Sequence, residues 1–159
     1  MRNIKYLIMD VDGTLTDGKV YVGNDGELMK AFHIKDGCGI HDILIPAQIV
    51  PIIMTGRFSE IVKVRCQEIG IELIYQGVSN KFEKLQEVSD KLNCQVEYMA
   101  YIGDDINDLV CMQYIKEAGG IIGCPADAIK EVVAIADFVS SKNGGNGAVR
   151  EFIEWLLYD

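Results

Sequence analysis

The sequence lacks several features that mark specialised classes of protein. Its five cysteines are odd in number and contain no C-x-x-C pair, which argues against a disulfide framework or a zinc knuckle. Only 15 lysines and arginines stand against 24 acidic residues, so the net charge is -9. A chain of this charge repels nucleic acid and anionic membranes, and no apolar run is as long as a membrane span. We therefore expect neither a nucleic-acid partner nor a membrane partner.

The beginning of the chain also lacks the pattern of a signal peptide, because polar and basic residues lead straight into an apolar strand at Tyr6. The cysteines are expected to be reduced and mostly buried, which favours a cytoplasmic protein. The length of 159 residues fits one compact domain, and apolar residues make up 49% of the chain, enough to fill a core. We expect a single domain over residues 1–159.

Short apolar runs alternate with longer amphipathic stretches along the chain. Apolar runs of strand length occur at residues 6–9, 49–54, 73–75, 99–102 and 120–122. Helical spacing covers residues 59–69, 81–92, 105–117 and 147–157. Apolar strands separated by helices predict an α/β fold, a doubly wound parallel sheet with both faces covered. Ligands of such sheets bind at the carboxyl ends of the strands.

Residues 19–32 break this alternation. Two short strand-like runs, residues 19–22 and 28–32, flank the turn sequence Gly23-Asn24-Asp25-Gly26, which predicts a β-hairpin. The hairpin follows the first strand directly, where a doubly wound fold usually has a helix, so we expect a flap over the carboxyl edge of the sheet. The spacing of the later motifs leaves no room for a separate cap domain.

Asp10 and Asp12 stand at the end of the first strand, before Gly13 and Thr14. Side chains at i and i+2 of an extended strand share a face, so both carboxylates can reach one pocket. One can attack phosphorus, while the other protonates the leaving oxygen and later activates water. Like charges this close need a cation between them. A polar turn after a strand is the plain alternative, so this motif predicts catalysis only together with others.

Two further motifs supply groups that hold an anion. Thr55 and Gly56 end the second long strand, where a hydroxyl and a backbone N–H can bind a phosphate oxygen; a turn with threonine as helix cap is the alternative. Lys81 follows Asn80 at the start of a helix. A cation there opposes the helix dipole, which favours a role beside an anion or a carboxylate, although most lysines are only solvated.

The fourth motif places Asp104, Asp105 and Asp108 after another strand and at the start of a helix. Three carboxylates within five residues suit a hard cation such as Mg²⁺, which prefers oxygen ligands. A helix cap with acidic first-turn residues is the alternative, but a cap needs only one of them. The four motifs fall at four strand ends of one sheet, and together they contain the parts that phosphoryl transfer requires.

The order of these motifs resembles that of the haloacid dehalogenase superfamily of phosphatases, and the match spans essentially the whole chain. The resemblance implies that Asp10 is the nucleophile, forming an aspartyl-phosphate, and that Asp12 is the general acid/base. It implies that Thr55 and Lys81 hold the phosphoryl group.

The same resemblance implies a Mg²⁺ cofactor and its ligands. These would be the Asp10 carboxylate, the Asp12 carbonyl and Asp104, supported by either Asp105 or Asp108.

Other segments point to one family within this superfamily. The main ones are Lys35-Asp36-Gly37, residues 75–81 and the run Gly144-Gly145-Asn146-Gly147. They are similar to the 3-deoxy-D-manno-octulosonate (Kdo) 8-phosphate phosphatases, a capless family whose tetramers complete one another's active sites. The resemblance implies a sugar-acid phosphate as substrate. The candidate substrate-binding residues are Gly56, Arg57, Arg65, Asn80 and Asp108. Arginine suits the carboxylate of a sugar acid, but Arg65 could equally be a charge on a helix surface.

This chain departs from the family's pattern at two places that bear on which sugar acid it binds. The family usually carries arginine where this chain has Asn146, and its members have larger C-terminal tails that can cover the site. A nonulosonate 9-phosphate phosphatase is the alternative, although that family has glutamate at the position of Arg57. A phospho-accepting receiver domain of a signalling pair is a more remote alternative. Receivers have adjacent acidic residues at the first strand, whereas Asp10 and Asp12 are separated by one residue. The intact pair Asp10 and Asp12 argues against a non-catalytic module.

A capless site needs a lid, because phosphoryl transfer benefits from the exclusion of water. The flap carries apolar residues at Val20, Val22, Leu28 and Phe32. We expect a neighbouring subunit to bury them in a homotetramer; the alternative is that the hairpin packs on its own domain.

Overall fold

A parallel sheet of six strands forms the centre of the computed structural model, which describes residues 3–158. The strands are β1 (Tyr6–Met9), β2 (Tyr21–Gly23), β3 (Gly26–Met29), β4 (Val50–Met54), β5 (Leu73–Tyr75), β6 (Met99–Ile102), β7 (Ile121–Cys124) and β8 (Phe138–Val139). The helices are α1 (Ile34–Cys38), α2 (Glu60–Glu68), α3 (Lys81–Leu92), α4 (Ile106–Glu117), α5 (Lys130–Ile135) and α6 (Ala148–Tyr158). The sheet order is β5-β4-β1-β6-β7-β8, while β2 and β3 form a separate antiparallel hairpin. The predicted α/β fold with a flap and no cap domain is confirmed.

Both faces of the sheet are buried, because successive side chains of a strand point to opposite sides. In β1, Leu7 and Met9 join one hydrophobic core, and Ile8 joins the other. All three are fully buried, and each such side chain contributes about 1.5–3 kcal/mol. Helices α2 and α6 cover the first core, and α3, α4 and α5 cover the second. This two-sided burial explains why the strands read as unbroken apolar runs.

The strand order reverses beside β1. From β1 the chain moves to β4 and β5 on one side, and it then crosses over to β6 on the other. The backbone N–H of Asp10 donates to the carbonyl of Ile102 at 3.1 Å, so the ends of β1 and β6 lie side by side. Ligands of open α/β sheets bind in the crevice at such a reversal.

The flap is shorter than predicted. Gly23 pairs with Gly26, so only Asn24 and Asp25 form the loop, and Gly26 takes a φ of +115° that favours glycine. The prediction of a second strand over residues 28–32 was wrong in its bounds, since β3 ends at Met29. Phe32, which we expected a neighbouring subunit to bury, packs against the first core of its own chain.

A helix that the periodicity of the sequence did not indicate lies between the flap and β4. It is α1, which continues as a π-helix over Gly39–Leu44. Its Asp36 is buried and accepts hydrogen bonds from the backbone N–H groups of Arg150 at 2.9 Å and Gly147 at 3.3 Å. The carboxylate thus caps the start of α6, and burial raises its pKa. The short elements α5 and β8 were not predicted. None of the helices within residues 3–158 is long and apolar enough to cross a membrane.

Candidate active site

A buried lysine bridges two of the predicted motifs. The ammonium of Lys81, at the first position of α3, donates to Asp10 Oδ1 at 2.8 Å and to Asp108 Oδ1 at 2.7 Å. The side chain of Lys81 is 2% exposed, and those of Asp10 and Asp108 are 6% and 0% exposed. A charge removed from water must be paired, and these two carboxylates explain why a lysine is stable at this helix start.

Asp104 lies opposite, at the end of β6, and is held by the loop that follows β1. The hydroxyl of Thr14 donates to Asp104 Oδ1 at 2.8 Å. Gly13 has a φ of +93°, and a Cβ there would lie 2.1 Å from Asp104 Oδ2. Glycine is therefore required at this position, both for the turn and for the close approach of Asp104. The D-x-D-G-T motif and the acidic motif after β6 form one site.

The structure brings Asp108, rather than Asp105, into this site. Asp105 is exposed and caps α4, accepting from its own neighbour Ile106 N–H at 2.7 Å. Asp108 Oδ1 also accepts from the hydroxyl of Tyr101 at 2.6 Å. Its Oδ2 accepts from the backbone N–H groups of Asp104 at 3.1 Å and Asp105 at 3.3 Å. With both oxygens engaged in this way, Asp108 is suited to orient Lys81, and its predicted contact with substrate stays a prediction.

Tyr101 is a site residue that sequence reasoning missed. It lies inside β6 and is fully buried, so it read as part of an apolar strand. Burial and the charge of Asp108 raise its pKa well above the usual value, which keeps the hydroxyl protonated as a donor. No local pattern indicates this role, because the hydrogen bond depends on how α4 folds back over β6.

The site carries more negative charge than Lys81 neutralises. Burial, and then the charge of Asp108, raise the pKa of Asp10 to about 6. Burial, and then the charge of Asp10, raise the pKa of Asp104 to about 8. Burial by itself lowers the pKa of Lys81, but the two carboxylates beside it raise it overall. The ionised form of the cluster is therefore unfavourable until a second cation joins it.

The donor set fits Mg²⁺. Asp10, Asp104 and Asp108 place one carboxylate oxygen each within 4.8 Å of one another, and a hard cation prefers oxygen donors. Because Asp108 is already engaged by Lys81 and Tyr101, Asp10 and Asp104 are the side chains best suited to hold the ion. The carbonyl of Asp12 as a third ligand stays a prediction from the resemblance.

Asp12 forms an ion pair with a lysine of the flap. Lys30, just after β3, places its ammonium 2.5 Å from Asp12 Oδ1 and 3.1 Å from Glu27 Oε2. Glu27, within β3, in turn accepts a hydrogen bond from the hydroxyl of Ser59 at 2.5 Å. The flap is thus fastened to its own chain at the edge of the site. Lys30 and Glu27 were not identified from the sequence, where they read as hairpin charges.

Thr55, Gly56 and Arg57 lie at the carboxyl end of β4, as predicted. Thr55 is buried, and its carbonyl accepts from Val78 N–H at 3.1 Å. Gly56 is exposed. The guanidinium of Arg57 is half-exposed and lies 3.5 Å from Glu27 Oε2. β4 adjoins β1 in the sheet, so these residues stand at the same edge as Asp10, and their roles stay predictions.

Arg65 and Asn80 have structural partners. Arg65 pairs with Glu68 at 2.8 Å and lies against Gly37, where a Cβ would meet its guanidinium at 2.4 Å. Asn80 caps α3, its side chain accepting from Glu83 N–H at 3.1 Å. A contact of either residue with substrate remains a prediction.

The glycine-rich run near the C-terminus supports the first motif. Gly145 N–H donates to the carbonyl of Thr14 at 3.0 Å. A Cβ on Gly144 would lie 1.8 Å from the carbonyl oxygen of Gly13. Only glycine permits this contact. Asn146, within this run, is exposed.

Comparison with known proteins agrees with this geometry. The profile of the haloacid dehalogenase-like hydrolases matches residues 48–153. The 3-deoxy-D-manno-octulosonate 8-phosphate phosphatase of Escherichia coli is 43% identical over 155 residues, which cover 98% of this chain and 80% of that protein. The Moraxella catarrhalis phosphatase of the same name, solved with magnesium ion, phosphate ion and a Kdo molecule, is 37% identical with a TM-score of 0.90, over 98% of this chain and 87% of that one. The cobalt-bound phosphatase of Haemophilus influenzae is 38% identical with a TM-score of 0.90, over 98% and 88% of the two chains. The chain belongs to the haloacid dehalogenase-like hydrolases and, among them, to the family of the 3-deoxy-D-manno-octulosonate 8-phosphate phosphatases.

Proposed function

We propose that this protein is a Mg²⁺-dependent phosphatase that hydrolyses 3-deoxy-D-manno-octulosonate 8-phosphate to Kdo and phosphate. The observation that carries the proposal is the arrangement of Asp10, Lys81 and Asp104 at the strand-order reversal. It offers a nucleophile, a buried ammonium and a carboxylate pair for a divalent cation within one crevice. The relatives named above support the same reaction.

In this mechanism a carboxylate oxygen of Asp10 attacks phosphorus, and the bond from phosphorus to the sugar oxygen breaks. Asp12 donates a proton to that oxygen, so the sugar leaves as an alcohol. Asp12 then takes a proton from water as the water attacks the aspartyl-phosphate, which releases phosphate and restores Asp10. Lys81 and Thr55 hold the phosphoryl oxygens. When bound, Mg²⁺ supplies positive charge that offsets the negative charge of the phosphoryl group and the carboxylates.

Arg57 is proposed to bind the carboxylate of the sugar acid. Its guanidinium is half-exposed at the end of β4 and lies 3.5 Å from Glu27 Oε2. An arginine matches a carboxylate through two parallel hydrogen bonds. A nonulosonate 9-phosphate also carries a carboxylate, so the carbon count has to be measured.

The test is phosphate release by the purified chain from Kdo 8-phosphate, a nonulosonate 9-phosphate, hexose phosphates and p-nitrophenyl phosphate, with Mg²⁺ and with EDTA. We expect metal-dependent release with the highest kcat/KM for Kdo 8-phosphate. A preference for the nine-carbon ester would retain the mechanism and change the substrate. If no ester releases phosphate in the presence of Mg²⁺, the proposed function is wrong.

The proposal includes a homotetramer with the flap at the subunit interface. Val22, Leu28 and Met29 are 69%, 67% and 52% exposed, and exposed apolar patches mark interaction sites. We expect light scattering to give a tetramer mass that Leu28→Asp reduces. Val64→Asp is the matched control, since Val64 is 64% exposed and belongs to α2 rather than to the flap hairpin. A monomeric wild type would contradict this proposal.

The cytoplasm is the proposed compartment, because four of the five cysteines are buried free thiols.

A further inference from the structure

We propose that Lys30 of the flap is a positioning residue for Asp12, so that the flap sets the orientation of the general acid/base. This inference rests on the proposed function, in which Asp12 protonates the leaving oxygen. Nothing in the motif order indicated it, because Lys30 lies 18 residues after Asp12 on a separate hairpin.

The contact between Lys30 and Asp12 is partly buried. The side chain of Lys30 is 2% exposed, and that of Asp12 is 20% exposed. The ammonium lies between Asp12 Oδ1 at 2.5 Å and Glu27 Oε2 at 3.1 Å. Bonds between charged groups are short and strong, and a lysine removed from water is costly unless paired. The ion pair with Lys30 therefore holds the Asp12 carboxylate toward the flap rather than leaving it free to rotate.

The two catalytic aspartates therefore have separate lysines. Asp10 is engaged by Lys81, which the sheet and α3 hold in the interior. Asp12 is engaged by Lys30, which belongs to the hairpin over the carboxyl edge. The nucleophile is thus fixed by the rigid centre of the fold and the proton donor by the flap. A displacement of the acid by about 1 Å can cost a hundredfold in rate, so the flap contact bears directly on the transfer step.

A purely structural role for Lys30 is the alternative, since Glu27 also joins the flap to Ser59 at 2.5 Å. The two roles differ in their dependence on the leaving group. A sugar alcohol is a poor leaving group and needs a proton from Asp12, whereas p-nitrophenolate leaves without one. Loss of acid positioning therefore slows the sugar ester selectively, while loosening of the flap slows both esters alike.

The experiment compares Lys30→Met with wild type on Kdo 8-phosphate and p-nitrophenyl phosphate, both with Mg²⁺. The readout is kcat/KM, which reports transfer of the phosphoryl group to Asp10. We expect a loss of roughly ten- to a hundredfold on the sugar ester, within the range for general acid catalysis. The loss on p-nitrophenyl phosphate is expected to be below about threefold on the same reasoning.

Three variants serve as controls. Lys30→Gln keeps a polar side chain and should show the same difference between the two esters if Lys30→Met does not fold. Ser59→Ala removes the hydroxyl that anchors the flap through Glu27 and should affect both esters equally. Lys19→Met removes an exposed flap lysine, 73% exposed, and should resemble wild type. Equal losses on the two esters in both Lys30 variants would overturn this proposal alone. A wild type inactive on every ester would overturn the proposed function and this proposal with it.

Discussion

Asp10→Asn is expected to abolish phosphatase activity while leaving the fold intact. The amide has the size of the carboxylate, and its oxygen can still accept the hydrogen bond that Lys81 donates at 2.8 Å. It carries no negative charge with which to attack phosphorus. Removal of a covalent nucleophile lowers kcat by several orders of magnitude, so we expect a loss of at least about a thousandfold. The measurement is phosphate release from the preferred ester with Mg²⁺.

The same variant is expected to be at least as stable as wild type in EDTA at pH 8. Burial and the neighbouring Asp108 raise the pKa of Asp10 to about 6, which means that its ionised form is destabilising in the metal-free fold. Removing that charge removes the penalty. Asp25→Asn, at the exposed tip of the flap, is the matched control and should retain both activity and stability. Activity of Asp10→Asn within tenfold of wild type would rule out Asp10 as the nucleophile.

Mg²⁺ is expected to stabilise the protein strongly at pH 8 and weakly at pH 5. At a free Mg²⁺ concentration 100 times its Kd, one bound ion adds about 2.7 kcal/mol to the free energy of unfolding. For a chain of this size that corresponds to a rise in Tm of roughly 5 to 10 °C. The measurement is thermal unfolding with Mg²⁺ and with EDTA between pH 5 and pH 8.

The direction of this pH dependence follows from the raised pKa values of two carboxyl groups. Without metal, the folded protein keeps protons on Asp104, with a pKa of about 8, and on Asp10, with a pKa of about 6. The unfolded chain releases both near the ordinary aspartate pKa of 3.8. The folded state therefore binds more protons over this interval, and these groups lower stability as pH rises from about 4 to about 8. Bound Mg²⁺ favours the ionised carboxylates and removes this loss.

Asp10→Asn is also the control for this linkage. It removes the charge that, after burial, contributes most to raising the pKa of Asp104, so the stability of the metal-free variant should fall less steeply with pH. Asp25→Asn should keep the wild-type slope. An equal Mg²⁺-dependent rise in Tm at pH 5 and pH 8 would contradict the charge distribution described for Asp10 and Asp104.

The fold could be predicted from local patterns because the sheet is buried on both faces. Five of its six strands are apolar runs, and helical spacing separates most of them, so the parallel α/β arrangement follows from periodicity. The strand β8 has two residues, too few to show a pattern. The flap was recognised from its turn, but its exact pairing and the burial of Phe32 depend on the core that the hairpin meets.

The positions of Asp10, Asp12, Thr55, Lys81 and Asp104 at strand or helix ends were also readable in the sequence. This was possible because a parallel sheet brings all its carboxyl ends to one edge. What the sequence determined by itself was therefore the set of chemical groups at that edge.

Only the tertiary structure decided how those groups pair. It placed Lys81 between Asp10 and Asp108, and it turned Asp105 outward as a helix cap. It also brought Lys30 from the flap to Asp12. Such pairings join residues that are far apart along the chain, and they depend on burial, since a charge that loses its water must find a partner in whichever element packs against it.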